Sequence, residues 1–235
     1  MRSSGGRILR KPAFVATDAG RPAGLLNSVV LLEPLDEAAV SSRLAALEAF
    51  FAFGGVSYPG TVFMFAAWPP PDLTAFGWAC VEQMPLMLRR PGGHALPAPG
   101  LRISEGRSIG DLHHFEQVMI EGFPAPELQG LPAESAFGSS LLEDRRFRFW
   151  LGWEDGRPVS AAATFVSHGL SHLSFLATLP EARGRGFGSA LAWTSTIAEP
   201  DLPAMVIASE AGQRIYARIG YQHVCDMPLW VREQP

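Results

Sequence analysis

Leu176-Ala177-Thr178-Leu179-Pro180-Glu181-Ala182-Arg183-Gly184-Arg185-Gly186-Phe187-Gly188-Ser189 is the stretch on which the fold turns. The apolar run up to Leu179 suits a strand, and Pro180 ends it. A helix opens near Phe187. Backbone N–H groups in the first turn of a helix have no intrahelical partners, and the helix dipole adds partial positive charge there. Glycines at 184, 186 and 188 let an anion approach the backbone without a Cβ in the way. Arg183 and Arg185 can add charge-assisted hydrogen bonds. Arg183 to Ser189 therefore has the composition of a pyrophosphate cradle.

Two other phosphate loops fit less well. The P-loop requires a lysine, and Lys11 is the only lysine in the chain. The dinucleotide fingerprint would put its last glycine at Ser189 and would sit early in a βαβ unit. Here an antiparallel meander precedes the loop. Phe147–Trp153 is a strand, Glu154-Asp155-Gly156-Arg157 a hairpin turn, Val159–Val166 its partner, His168-Gly169 a second turn and Leu170–Leu179 the return strand. Upstream, Leu101–Ile103 is a strand and Ile109–Gly122 a helix with Leu112, Phe115, Val118 and Met119 at helical spacing. A short helix is expected around Ser135–Leu142.

The first half is simpler. Val29–Leu32 suits a buried strand, and Asp36 caps a helix carrying Val40, Leu44, Leu47 and Phe51 on one face. Thr61–Phe65 is a strand, Pro70-Pro71-Asp72 starts a short helix, and Trp78–Leu88 is a strand expected at an edge or bulge because of Pro85. The aromatics Phe63, Phe65 and Trp68 are assigned first to the core. No Gly-rich turn lies between Glu33 and Val40, so no cofactor cradle is expected there. Residues 1–22 read as a flexible arm or peripheral strand, and the Pro/Gly-rich residues 91–100 as a linker between residues 23–90 and 101–235. An internal repeat joins the halves. Gly77 to Leu86 overlays Gly220 to Leu229, sharing Gly, Val and Met-Pro-Leu at an offset of 143 residues, and Arg89 falls on Arg232.

In this order and spacing the C-terminal motifs resemble the GNAT superfamily of acyl-CoA-dependent N-acetyltransferases. Leu176 to Gly188 is similar to that family's strand and pyrophosphate loop. Ser209-Glu210-Ala211-Gly212-Gln213-Arg214-Ile215-Tyr216-Ala217-Arg218-Ile219-Gly220-Tyr221 is similar to its second signature. The resemblance covers roughly residues 101–235. It implies an α/β (α+β) fold: a mixed, mostly antiparallel sheet flanked by helices, preceded by a degenerate GNAT-like half-domain. It also implies acetyl-CoA bound in a V-shaped split beside Leu170–Leu179. The pantetheine arm would pair with main chain at Leu176, Ala177 and Thr178, and the pyrophosphate would rest on Arg183, Gly184, Arg185, Gly186, Phe187, Gly188 and Ser189. Ser209 stands where the family often has Asn, and by carry-over it would bond the pantetheine arm. Tyr216 would protonate the leaving thiolate, a role a phenol of pKa about 10 can fill towards a thiolate of pKa about 8.5. A core tyrosine is the plain alternative.

The remaining features set limits. With 47% hydrophobic and 18% charged residues among 235, the chain is expected to fold and not to be disordered. The formal net charge is −4 and the arginines are scattered, so no nucleic-acid footprint stands out. No run approaches a membrane span, and no signal segment follows the basic N-terminus. Cys80 and Cys225 read as reduced, buried thiols of a cytoplasmic protein. His168 and His172 fall at a turn and its strand, where an i,i+4 metal pair does not form, so no metal site is expected. No general base is singled out among Glu121, His172 and Asp226, and a water could serve. The expected activity is acetyl transfer from acetyl-CoA to a primary amine of a small molecule, by direct attack in a ternary complex. Two alternatives stay open: a non-catalytic acyl-CoA sensor, and acetylation of a protein lysine or N-terminus. A homodimer is compatible with all three.

Overall fold

The computed structural model describes residues 6–20, 24–52, 61–93, 98–123, 128–129, 131 and 134–233. The expected arm at residues 1–5 and the linker residues 94–97 lie outside these. In chain order the strands and α-helices are β1 Arg7–Arg10, β2 Phe14–Asp18, β3 Ser28–Leu31, α1 Val40–Ala52, β4 Thr61–Phe65, β5 Ala79–Arg89, β6 Arg102–Glu105 and α2 Ile109–Gly122. They continue with β7 Phe147–Glu154, β8 Arg157–Ser167, β9 Leu170–Thr178, α3 Phe187–Thr196, β10 Ala204–Ile207, α4 Glu210–Arg218 and β11 Gln222–Glu233. They form two compact units, Met1–Met84 with Cys225–Pro235, and Pro85–Val224.

In the first unit, β1 and β2 form an antiparallel pair within the stretch read as an arm or peripheral strand, and Arg7 pairs with Asp18 at its end. β3 runs parallel to β4, and β4 pairs antiparallel with Leu229–Glu233 of β11. The core gathers Val40, Leu44, Leu47 and Phe51 from α1 around Val29, Val62 and Met64. Periodicity identified that helical face correctly, because residues three and four apart share one side. The aromatics of β4 do not follow the expectation. Val62 and Met64 face the core, leaving Phe63 and Phe65 half-buried and Trp68 39% exposed. The helix expected at Pro70–Asp72 is a single 3-10 turn, Thr74–Phe76, whose first amide donates to Asp72 Oδ1 at 2.9 Å.

The second unit holds the meander. The strand order is β10, β9, β8, β7, β6, with β10–β9 parallel and the others antiparallel. The turns were legible as residue types: Asp155 and Gly156, then His168 and Gly169, all adopt positive φ. Leu86–Arg89 of β5 pairs antiparallel with β10, so Pro85 does not mark an edge there; its carbonyl accepts from the Ala208 amide at 2.8 Å. α2 packs its apolar face on one side of the meander, with Phe149, Leu151, Ala161 and Ala177. α3 and α4 lie on residues of the other side, Leu173, Val206 and Ala208 among them. The helix expected at Ser135–Leu142 is only a 3-10 turn at Ser139–Glu143. The segment before it is held by side-chain bonds to α2 that compete with helix formation.

Candidate active site

β9 and β10 are paired at only two positions, Ser171 with Ala204 and His172 with Met205. Beyond them the strands part, which is the expected split. The cause lies in β9. Its register with β8 steps from Leu173–Thr164 to Phe175–Ala163, leaving Ser174 as the extra residue of a β-bulge. The bulge turns the side chains over. Leu173 packs with α3 and α4, whereas Phe175 packs against the α2 cluster. Past the bulge, the Leu179 amide donates to Val159 on β8 at 2.9 Å. Strand alternation then turns the Leu176 and Thr178 amides and carbonyls away from β8, towards the edge that β10 has left. Leu176 and Thr178 thus lie along the split, with Leu176 offering both a donor and an acceptor to a ligand amide, whereas Ala177, expected to pair with the pantetheine arm, turns its main chain to β8, where its carbonyl accepts from Ser160 Oγ at 2.8 Å, and buries its side chain in the α2 cluster.

The split runs down to the start of α3. Gly184 and Gly186 have φ of +75° and +83°, a region open to glycine at little cost, and a Cβ on either would meet nothing. Gly186 is the N-cap and provides no side-chain acceptor. The first intrahelical bond is Ala190 N to Gly186 O, so the amides of Phe187, Gly188 and Ser189 are left for another partner. The other helices are served differently. Ser108 and Asp111 form a capping box on α2, Ser209 caps α4, and Asp36 accepts from Ala39 just ahead of α1.

The structure revises the reading of the two arginines. Arg183 donates to the carbonyls of Thr178 at 3.1 Å and Gly122 at 3.0 Å, tying the end of β9 to the end of α2. Arg185 forms a fork with Glu154 and lies over Phe187, its guanidinium carbon 4.6 Å from the ring centroid. Glu154 holds it charged and raises its pKa further. Gly188 also differs from the expectation of an open surface turn. A Cβ there would stand 3.1 Å from Thr178 Oγ1, so this glycine lets the start of α3 lie close against the end of β9. Two further residues matter that the motif did not include. Gly122 meets the Thr178 carbonyl so closely that a Cβ would lie 3.1 Å from it, and Glu154 is the partner of Arg185. The only sequence signals were a glycine at a helix end and an acid before a turn.

Tyr216 is buried at 6% exposure, in the cluster that includes Leu173, Val206 and Ala208. Its ring folds back over Gly212, where a Cβ would come within 3.0 Å of it, and so reaches towards Ser209 at the head of α4. Tyr221 stands edge-on to it at 5.6 Å and bonds Thr196 Oγ1 at 2.9 Å. Burial raises the Tyr216 pKa well above the usual phenol range and pushes Tyr221 up to about 12. Ser209 Oγ accepts the Gly212 amide at 3.2 Å, so its first duty is the helix cap.

The candidate bases separate. Glu121 accepts from Gln117 on the surface of α2. Asp226 is an exposed residue of the first unit. His172 lies at the root of the split, with Ser174 Oγ 3.3 Å from Nδ1, and desolvation lowers its pKa to about 4. Cys80 is exposed, against the buried thiol expected, and Cys225 is half-buried. Among the described residues no group of three or more His, Cys, Asp or Glu could hold a metal, and no helix is long and apolar enough to cross a membrane.

Comparison with known proteins agrees with this geometry. The FR47-like protein family matches residues 150–231. No curated protein sequence matches the chain. Among solved structures, a GCN5-related N-acetyltransferase from Kribbella flavida superposes with a TM-score of 0.69 at 20% identity, over 97% of this chain and 89% of that one. A putative acetyltransferase of the GNAT family from Novosphingobium aromaticivorans gives 0.60 at 15% identity, over 97% and 92%. A tandem GNAT protein from the clavulanic acid biosynthesis pathway gives 0.53 at 14%, over 97% and 82%. The fold is that of the GNAT superfamily. The match to a tandem GNAT protein over nearly the whole chain fits a two-half architecture.

Proposed function

We propose that the second unit transfers an acetyl group from acetyl-CoA to a primary amine of a small molecule. The observation that carries this is the split between β9 and β10 leading to the uncapped N-terminus of α3. The pantetheine arm would pair as a short strand with Leu176 and Thr178. The pyrophosphate would take the free amides of Phe187, Gly188 and Ser189, where dipole and donors coincide. Arg183 and Arg185 serve first by shaping the loop. The thioester then lies at the bulge, where main-chain N–H groups face the carbonyl oxygen as it gains charge.

The amine nitrogen attacks the carbonyl carbon and forms a tetrahedral intermediate. The carbon–sulfur bond breaks, the sulfur leaves with its electron pair, and Tyr216 gives it a proton. The nitrogen loses its proton to water, and solvent restores the phenol. Burial keeps Tyr216 protonated, and the same low-dielectric surroundings penalise the thiolate. The two effects oppose each other, so the raised phenol pKa does not forbid the transfer. His172, neutral above about pH 4, is too weak a base to drive the first step.

The test is thiol release from acetyl-CoA in the presence of an amine panel. Acetyl-amide product in step with free CoA supports the proposal. Tight acetyl-CoA binding with no release for any amine would favour a sensor.

A further inference from the structure

Glu154 and Arg157 are partners at the end of the β7–β8 hairpin, whose turn residues, Asp155 and Gly156, hold positive φ. This end lies beside the loop that leads into α3. Two ion pairs cross from hairpin to loop, Glu154 with Arg185 and Arg157 with Glu181, the latter at 3.0 Å. The second pair is mostly exposed on both sides. The first is better built. Glu154 is half-buried, and its two oxygens accept from the two terminal nitrogens of Arg185, one of them at 2.7 Å. The guanidinium also rests on the Phe187 ring. A bidentate fork of this kind is stronger than an exposed pair joined at one point.

Phe187 is the first residue of α3, and its amide is one of the three without an intrahelical partner. Arg185 therefore sits next to the amides that suit an anion, yet the end of its fork is taken by a carboxylate. The charge of Asp155 adds to the field that favours this cation. Residues 154–157 and 181–189 together carry Glu154, Asp155 and Glu181 against Arg157, Arg183 and Arg185, so their side chains bring no net positive charge. A pyrophosphate that reaches the helix amides meets an arginine already engaged with another anion.

Resting on the acetyl-CoA reading of this loop, we infer that Glu154 is a built-in competitor of the pyrophosphate. It holds Arg185 until the pyrophosphate displaces it. This keeps the loop in shape and sets acetyl-CoA affinity below what Arg185 would otherwise confer.

The experiment is calorimetric titration of the full chain with acetyl-CoA, beside urea unfolding without it. Glu154→Gln keeps the side-chain size and removes the charge. It should raise acetyl-CoA affinity about fivefold or more while lowering the unfolding midpoint. A residue that only shapes the loop would lower both. Glu181→Gln removes a neighbouring carboxylate that does not hold Arg185, and should stay within about twofold of the parent in affinity. In an Arg185→Gln background the gain from Glu154→Gln should shrink to about twofold or less, since only charge repulsion is then relieved. Unchanged or lower affinity in Glu154→Gln, or equal gains with and without Arg185, overturns the inference and leaves the cofactor site standing. Failure of the parent and of every variant to bind acetyl-CoA overturns the proposed function and this inference with it.

Discussion

Arg89 Nε donates to the Ile219 carbonyl at 2.7 Å, at the C-terminal end of α4, while its guanidinium lies 4.5 Å from the Trp193 ring centroid. It also sits against Gly220, where a Cβ would be 3.4 Å from Nε. Its counterpart in the internal repeat, Arg232, sits against Gly77 with 3.7 Å for the same distance. Each arginine therefore abuts the glycine of the other repeat copy. Each compact unit is completed by a terminal strand segment encoded in the other half: Leu86–Arg89 beside β10, and Leu229–Glu233 beside β4. Arg89→Met removes a charge-assisted cap and a cation–π contact. It should lower stability by about 1–3 kcal/mol in urea unfolding. An unchanged midpoint would make the contact incidental.

Gly188→Val should reduce acetyl-CoA affinity by about tenfold or more, because the side chain enters the space over the first turn of α3. It should also cost about 1–3 kcal/mol, since its Cβ lies 3.1 Å from Thr178 Oγ1. Adding Thr178→Ala should return part of the stability and none of the affinity. Calorimetric titration of the single and double variants separates the two effects. Full affinity in Gly188→Val would make the loop a connector only.

How much of this was readable in advance depends on which partner a residue needs. α1 was legible because Val40, Leu44, Leu47 and Phe51 reveal their shared face by spacing alone. The turn from β9 into α3 and the helix carrying Tyr216 were legible because dense local motifs carry them. The bulge at Ser174 was not, because nothing in the Leu170–Leu179 pattern says that one residue will have no partner. The exchange of strand segments was equally hidden. The repeat showed that β5 and β11 are alike, but likeness does not say which sheet each joins. Arg183 and Arg185 were assigned by charge to a phosphate, whereas nearby carbonyls and Glu154 satisfy them.

His172 gives the fold a pH dependence. Its folded pKa of about 4 lies below the usual 6.5, so the unfolded chain binds more protons between those values. This contribution is fully present above about pH 6.5 and is lost as pH falls towards 4, a difference of about 3 kcal/mol at most. Urea midpoints at pH 4.5 and 7 should differ less in His172→Gln than in the parent. An equal difference would mean that His172 is not desolvated.

Tyr216→Phe should lower kcat by on the order of 10²-fold, with acetyl-CoA affinity unchanged. Because burial raises this phenol above its usual range, the acetyl transfer proposed for the parent protein should show no loss of rate from Tyr216 ionisation up to about pH 10. A variant with full turnover would leave protonation of the thiolate to water.

The central claim is that the split and the uncapped helix form an acetyl-CoA site, and ligand-dependent stability measures it directly. A ligand at 100 times its dissociation constant should add about 2.7 kcal/mol to unfolding. Millimolar acetyl-CoA should therefore raise Tm by several degrees, while acetate and adenosine, which cannot span the split and the helix start together, should not. A Tm that acetyl-CoA leaves unmoved would contradict the account.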